Sequence, residues 1–136
     1  MSVDYELIQA ARQLMEKRYA EGKHHMGCAL RSKSGNIYLG IHIEASVGRI
    51  SLCSESVAIG TAATAGDAEI EQIVAVTESG DIVPPCGMCR ELIYDYSQNA
   101  SSVIILSGPQ GPYIVPIKEL LPNRYESSKY PNRRKG

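Results

Sequence analysis

Two short motifs constrain this chain more than the rest of its sequence. One is Cys53-Ser54-Glu55; the other, further along, is Pro85-Cys86-Gly87-Met88-Cys89-Arg90. Each sits where a loop enters a segment of helical character, so a fold that uses both must bring two helix N-termini to one point. Those termini carry free N–H groups and a partial positive charge. Three thiols meeting there can supply three ligands to one zinc ion. A structural zinc site takes four protein ligands; a catalytic one takes three and leaves the fourth position to water. Glu55 stands two residues from the first thiol, where a proton carrier would be needed.

Other readings of these residues exist. Cys-x-x-Cys alone also marks structural zinc sites and redox pairs. The second motif at a second helix start favours catalysis. A structural site would need a fourth ligand, for which Cys28, His24, His25 and His42 are the candidates. Cys28 lies in the apolar stretch Gly27-Cys28-Ala29-Leu30 and reads as a buried small side chain. His24 and His25 are either pocket residues or polar groups on a hairpin edge. His42 and Glu44, two apart, share one face of a strand, either at a site or simply in solvent.

The bulk properties exclude several classes. At 136 residues the chain has the length of one domain. Its net charge of −1 gives no general attraction for nucleic acid or an anionic membrane. No apolar run approaches the ~18 residues of a membrane span. The acidic start, Met1 to Glu6, lacks the pattern of a secretion signal. A cytoplasmic location is therefore expected, where thiols stay reduced and metal binding outranks disulfides. Phe and Trp are absent, so any stacking falls to Tyr or His.

Leu7, Ala10, Ala11, Leu14, Met15 and Arg18 have helical spacing after a Ser2 or Asp4 cap, predicting a helix to about Glu21 that stops at Gly22. Strands over 25–32 and 37–43, joined by the turn Ser34-Gly35-Asn36, predict a hairpin. A loop follows over 44–52, then an Ala-rich helix over 54–65 ending at Gly66. Strands are predicted over 73–77, 103–106 and 113–115, with helices over 87–96 and 117–121. In the helix over 87–96, Leu92 and Ile93 point inward. This order predicts a three-layer α/β/α fold around a five-stranded mixed sheet. Residues 1–124 form a single domain in this reading. Residues 125–136 form a polar tail with Lys129, Arg133, Arg134 and Lys135, expected to be mobile.

Three thiolates on Zn²⁺ leave a charge of about −1, from deprotonated ligands. Backbone N–H groups and Arg90, next to Cys89, are the candidates to offset it. Thiolates make the metal a weaker Lewis acid, and hydrogen bonds to the sulfurs would partly restore it. Zinc lowers the pKa of a bound water. Glu55 is placed to take that proton and pass it to a leaving amine.

These residues resemble the cytidine deaminase superfamily, whose zinc site has Cys ligands, a Glu that is not a ligand and a Pro-Cys-x-x-Cys signature. The likeness runs from about His24 to Pro122 and takes in Gly27-Cys28-Ala29-Leu30, Gly40-Ile41-His42-Ile43-Glu44, both cysteine motifs and Leu120-Leu121-Pro122. It implies zinc on Cys53, Cys86 and Cys89, Glu55 as proton shuttle, and a homotetramer. The implied reaction is hydrolytic conversion of the 4-amino group of a cytosine nucleoside to a 4-oxo group, with release of ammonia. His24, His42, Glu44 and Ser54 are then the substrate-side candidates, and Ala29 is a candidate for the base rim. Within the superfamily, 23–27, 42–49 and 85–93 look closest to the bacterial blasticidin-S deaminases. Ordinary cytidine deaminases read ribose with an Asn and a Glu two apart; here His42 stands at the Asn position. A substrate with altered sugar hydroxyls and a carboxylate fits that change, with a His or Arg49 near the anionic group. The rivals are a deaminase of another aminated heterocycle and a zinc-stabilised module that only binds nucleosides. A polynucleotide-editing deaminase fits poorly, since the chain is short and not basic.

Overall fold

The computed structural model describes residues 1–126. In chain order they form α1 (Tyr5–Arg18), β1 (Met26–Ser32), β2 (Ile37–Ile41), α2 (Ser54–Thr64), β3 (Ile70–Thr77), β4 (Ile82–Val83), α3 (Gly87–Asp95), β5 (Val103–Gly108), β6 (Gly111–Pro116) and α4 (Ile117–Leu120). The main sheet has the order β2-β1-β3-β5-β6, and the two-residue β4 also pairs with β3. The five predicted strands are thus present, and β4 makes a sixth. The expected tail lies outside the described residues except for Tyr125 and Glu126.

Period-two alternation divides the core into two layers. Cys28 and Leu30 of β1, Ile73 of β3 and Ile104 of β5 face α2 and α3. Ala29, Val74, Val76 and Ile105, their neighbours in sequence, face α1. Ile70 lies three residues from Ile73 yet shares its layer. A bulge explains this: Arg31 pairs with Gln72 and Ser32 with Ile70, leaving Glu71 as the extra residue. That bulge also hides the start of β3 from a search for strict alternation.

α1 begins where the Asp4 carboxylate accepts a hydrogen bond from the Leu7 N–H at 3.3 Å, and it buries Leu7, Ile8, Ala11 and Met15. It ends short of the predicted Glu21. Tyr19 leaves helical geometry, and Ala20 instead pairs with His24 across a turn whose Gly22 has φ +77°. β2 likewise stops before the predicted end, because Ile43 turns to pair with Leu52.

One carboxylate ties the hairpin to the segment after α2. Asp67 Oδ2 accepts from Ser32, Ser34, Asn36 and Tyr38 at 2.6–3.0 Å. At the end of the described chain, the Arg124 guanidinium lies 4.1 Å over the Tyr94 ring and pairs with Asp95 at 3.0 Å, which holds this segment against α3.

Topology sets the position of the site. β2 and β3 are both antiparallel to β1, so they run in the same direction, and β5 is parallel to β3. α2 is the crossover from β2 to β3. α3 is the crossover from β3 to β5, with β4 folding back only briefly. Both helices therefore start at the same end of the sheet and lie on the same face, an arrangement that leaves a crevice at the strand ends.

Candidate active site

Cys53 and Cys86 occupy equivalent positions, each the N-cap residue of its helix, and neither makes a side-chain capping hydrogen bond. Their sulfurs lie 3.8 Å apart. Cys89 lies in the first turn of α3 and is fully buried. All three sulfurs fall within 4.8 Å of one another, and no other such group of His, Cys, Asp or Glu occurs among the described residues. Tetrahedral zinc with Zn–S bonds of ~2.3 Å places its sulfurs roughly 3.8 Å apart. The donor set and its spacing fit zinc.

Burial raises the Cys86 thiol, but the N–H groups of Cys89 and Met88 and the two neighbouring thiols outweigh it, so its pKa lies below the ordinary value. Cys89 is pushed up by burial and by the Glu55 charge. A cation bound between them would favour all three thiolates.

Glu55 follows in the first turn of α2, 7% exposed, with its pKa raised by burial. Its Oε1 accepts from Ser54 Oγ at 3.0 Å. Cys53, Ser54, Glu55 and Cys86 share a pocket of about 260 Å³ with Met26, His42 and Pro84. The only buried carboxylate among the described residues therefore opens into the cavity that two of the three thiols line.

His42 is fixed in one tautomer by its neighbours. Its Nδ1 accepts from the His25 backbone N–H at 3.0 Å, so the ring proton sits on Nε2, which faces Glu44 Oε2 at 3.3 Å. Hydrogen bonds from Ser51 and the Ala45 N–H, together with His42, hold the Glu44 carboxyl below its usual range. His42 and Glu44 thus share a side, as their spacing predicted, although β2 has already ended. His24 lies beside them, its Nδ1 2.8 Å from the His42 carbonyl oxygen, and does not line the pocket.

Residues 1–106 match the cytidine and deoxycytidylate deaminase zinc-binding region. The chain belongs to that deaminase family. It is 39% identical to blasticidin-S deaminase of Bacillus cereus over 130 residues, covering 90% of this chain and 91% of that protein. It is 30% identical to cytidine deaminase of Halalkalibacterium halodurans over 121 residues, or 88% and 91% of the two chains. The crystal structure of cytidine deaminase from Mycobacterium leprae superposes with a TM-score of 0.77 at 26% identity, covering 89% of this chain and 99% of that one.

Two residues of these motifs are placed by the fold as follows. Arg90, the expected counter-charge to the thiolates, gives Nε to the Pro85 carbonyl at 2.9 Å and Nη1 to the Leu120 carbonyl at 3.1 Å. It braces the loop before α3 against the end of α4. Ala29, expected near a base, sits in mid-sheet between Leu39 and Val74 with its side chain buried toward α1, so strands on both sides cover it. Cys28 faces the layer of α2 and α3, fully buried and in the core, as its apolar setting implied.

Three neighbours of the site were not singled out from sequence. Met26 shares the face of Cys28 and Leu30 by alternation. Ser56 stands three residues after Cys53, on the same face of α2. Both periodicities were available. Pro84 is placed by the chain path into α3, for which the sequence carries no comparable signal.

Proposed function

We propose that this chain is a zinc-dependent aminohydrolase that converts the 4-amino group of a cytosine nucleoside to a 4-oxo group and releases ammonia. The observation that carries the reading is a buried carboxylate, Glu55, opening into the pocket beside the Cys53 and Cys86 sulfurs. A site built only for stability has no need of that costly group. Cys53, Cys86 and Cys89 would hold the ion, which when bound would supply Lewis acidity and activate water. Glu55 carries the proton. Ser54 fixes Oε1, and the carboxyl carries one proton of the attacking water to ring N3, where it stays, and then the second, from the new C4 hydroxyl, to the amine as the C4–N bond breaks. Met26 and Pro84 give the pocket an apolar wall beside that transfer.

His42 and Glu44 read the sugar side, with His24 orienting His42 through its carbonyl. His42 has its Nδ1 taken by a backbone hydrogen bond and its Nε2 facing Glu44, so neither ring nitrogen is free for a sugar carboxylate. The pair instead offers an anionic acceptor for a hydroxyl or amino group. The likeness to blasticidin-S deaminase and the His at position 42 together favour a cytosine nucleoside with a modified sugar over cytidine. Turnover of blasticidin S and of cytidine by one zinc-loaded preparation tests this. Clear preference for cytidine would refute the sugar assignment, and failure to release ammonia from either would refute the reaction.

Residues 1–124 act as one deaminase domain, which assembles as a homotetramer in the cytoplasm. A groove of about 600 Å³ on the outer face of α2, lined by Ile43, Leu52, Val57, Gly60 and Thr61 among others, contains no titratable side chain and suits a second subunit. The four cysteines are free, which suits a reducing compartment. No helix among the described residues is long and apolar enough to cross a membrane.

A further inference from the structure

α2 carries three hydroxyl side chains beyond Ser54, and they behave differently. Thr61 and Thr64 turn back onto the carbonyls of Val57 and Gly60, at 2.8 and 2.7 Å, as hydroxyls in helices commonly do. Ser56 instead turns across to α3, where its Oγ lies 3.8 Å from the sulfur of Cys89. That distance is within range for an O–H···S hydrogen bond. A ligating Cys89 is a thiolate and has no proton to give, so Ser56 must be the donor.

The position of Cys89 makes the donor consequential. Its sulfur is fully buried, whereas Cys53 is partly exposed and Cys86 is exposed, so water can reach the other two residues. Arg90 is engaged by two carbonyls. Charge on an all-thiolate centre must be offset by hydrogen bonds to sulfur, and at the buried ligand the hydroxyl of Ser56 is placed to do so.

We infer that Ser56 is a positioning residue of the metal centre: its hydroxyl donates to the Cys89 thiolate, fixes that ligand, and draws electron density from the sulfur. The inference rests on the zinc reading above. Two consequences follow. The bound metal becomes a stronger Lewis acid, because a hydrogen-bonded thiolate donates less charge to it. The bond also couples the first turns of α2 and α3, so that the metal is held by two helices already linked at their starts.

The test compares wild type, Ser56→Ala and Ser56→Thr, each purified, stripped of metal and reloaded with zinc or Co²⁺. Metal affinity is measured by competition with a chromogenic chelator, and the sulfur-to-cobalt charge-transfer band by absorption. Loss of an outer hydrogen-bond partner should weaken zinc binding about 10-fold. The charge-transfer band should move to lower energy in Ser56→Ala, because an unbonded thiolate gives up its electrons more readily. Ser56→Thr, which keeps the hydroxyl, should restore both properties. Thermal unfolding separates this role from a merely structural one: the gap between wild type and Ser56→Ala should be wider in the zinc-loaded forms than in the metal-free forms. Unchanged affinity and an unmoved band in Ser56→Ala, with wild type holding one zinc, would overturn this inference alone. A wild-type chain that binds no zinc would overturn the metal reading and this inference together.

Discussion

The packing of α2 on β2 depends on Gly40, and Gly40→Ala tests whether that contact sets the site. A Cβ built at this position would lie 2.2 Å from the Ala58 nitrogen, 2.3 Å from the Ser54 carbonyl oxygen and 2.8 Å from the Ala58 Cα. All three obstacles are backbone atoms of α2, so no rotamer change relieves them. Ordinary contact begins at 3.4 Å, and the helix must therefore move by about 1.2 Å along the closest approach. The first turn of that helix carries Ser54 and Glu55 and follows directly from Cys53. A misplacement of ~1 Å at reacting groups costs about 100-fold in rate, and forced overpacking costs about 1–3 kcal/mol in stability.

Gly40→Ala should therefore lose stability by about that amount in urea unfolding of the metal-free chain. Its ammonia release at saturating substrate should fall about 100-fold. The φ of Gly40 is not in the left-handed range, so the cause is the added atom and not backbone conformation. Gly60→Ala on the same helix, where nothing lies within 4 Å, separates packing from helix propensity. A Gly40→Ala protein with the urea midpoint and turnover of wild type would refute the claim that this contact positions the site.

Glu55→Gln should retain stoichiometric zinc by elemental analysis, while ammonia release drops by about 10²–10⁴, the usual contribution of a positioned proton carrier. Asp67→Asn should lower the melting temperature at pH 7, since Asp67 accepts four side-chain hydrogen bonds and its folded pKa is depressed by Ser34, Asn36 and Ser32. A depressed folded value means stability that is full above the unfolded pKa of about 3.9 and lost as pH falls through the folded one. The gap between the two proteins should therefore close below about pH 4 in melts recorded across pH. Thr61→Arg, at the apolar groove on α2, should shift the chain to smaller species by light scattering, and an unchanged mass would remove that face from the assembly.

Much of this was legible because the signals were local and chemical. Ligand spacing, helix starts and the apolar strands are properties of adjacent residues, and the thiols came together as their types implied. The failures share a physical origin. The early end of α1 and the diversion of Ile43 come from pairings of Ala20 with His24 and of Ile43 with Leu52, which no propensity records. β4 has two residues, too few for a pattern. Arg90 adjoins Cys89 in sequence, but sequence does not show which groups so long a side chain bonds. For Arg90 these belong to Pro85 and Leu120. Ala29 was read from its motif without regard to face, and alternation turns its side chain away from the layer that Cys28 enters.

The convergence of the thiols is a consequence of strand direction before it is one of side-chain chemistry. Because β2, β3 and β5 run the same way, α2 and α3 must leave the sheet from the same end. Had β2 and β3 run in opposite directions, α3 would have begun at the opposite end of the sheet from α2, separated by the length of a strand, about 20 Å. Cys86 could not then have reached Cys53 however suitable its spacing from Cys89. The two motifs thus restrict the fold as strongly as the fold restricts them. Given two thiol-bearing helix starts that share an ion, connections of this kind require parallel flanking strands. Between them, where the strand ends leave a gap, lies the only pocket of the described chain that combines a buried carboxylate with sulfur ligands.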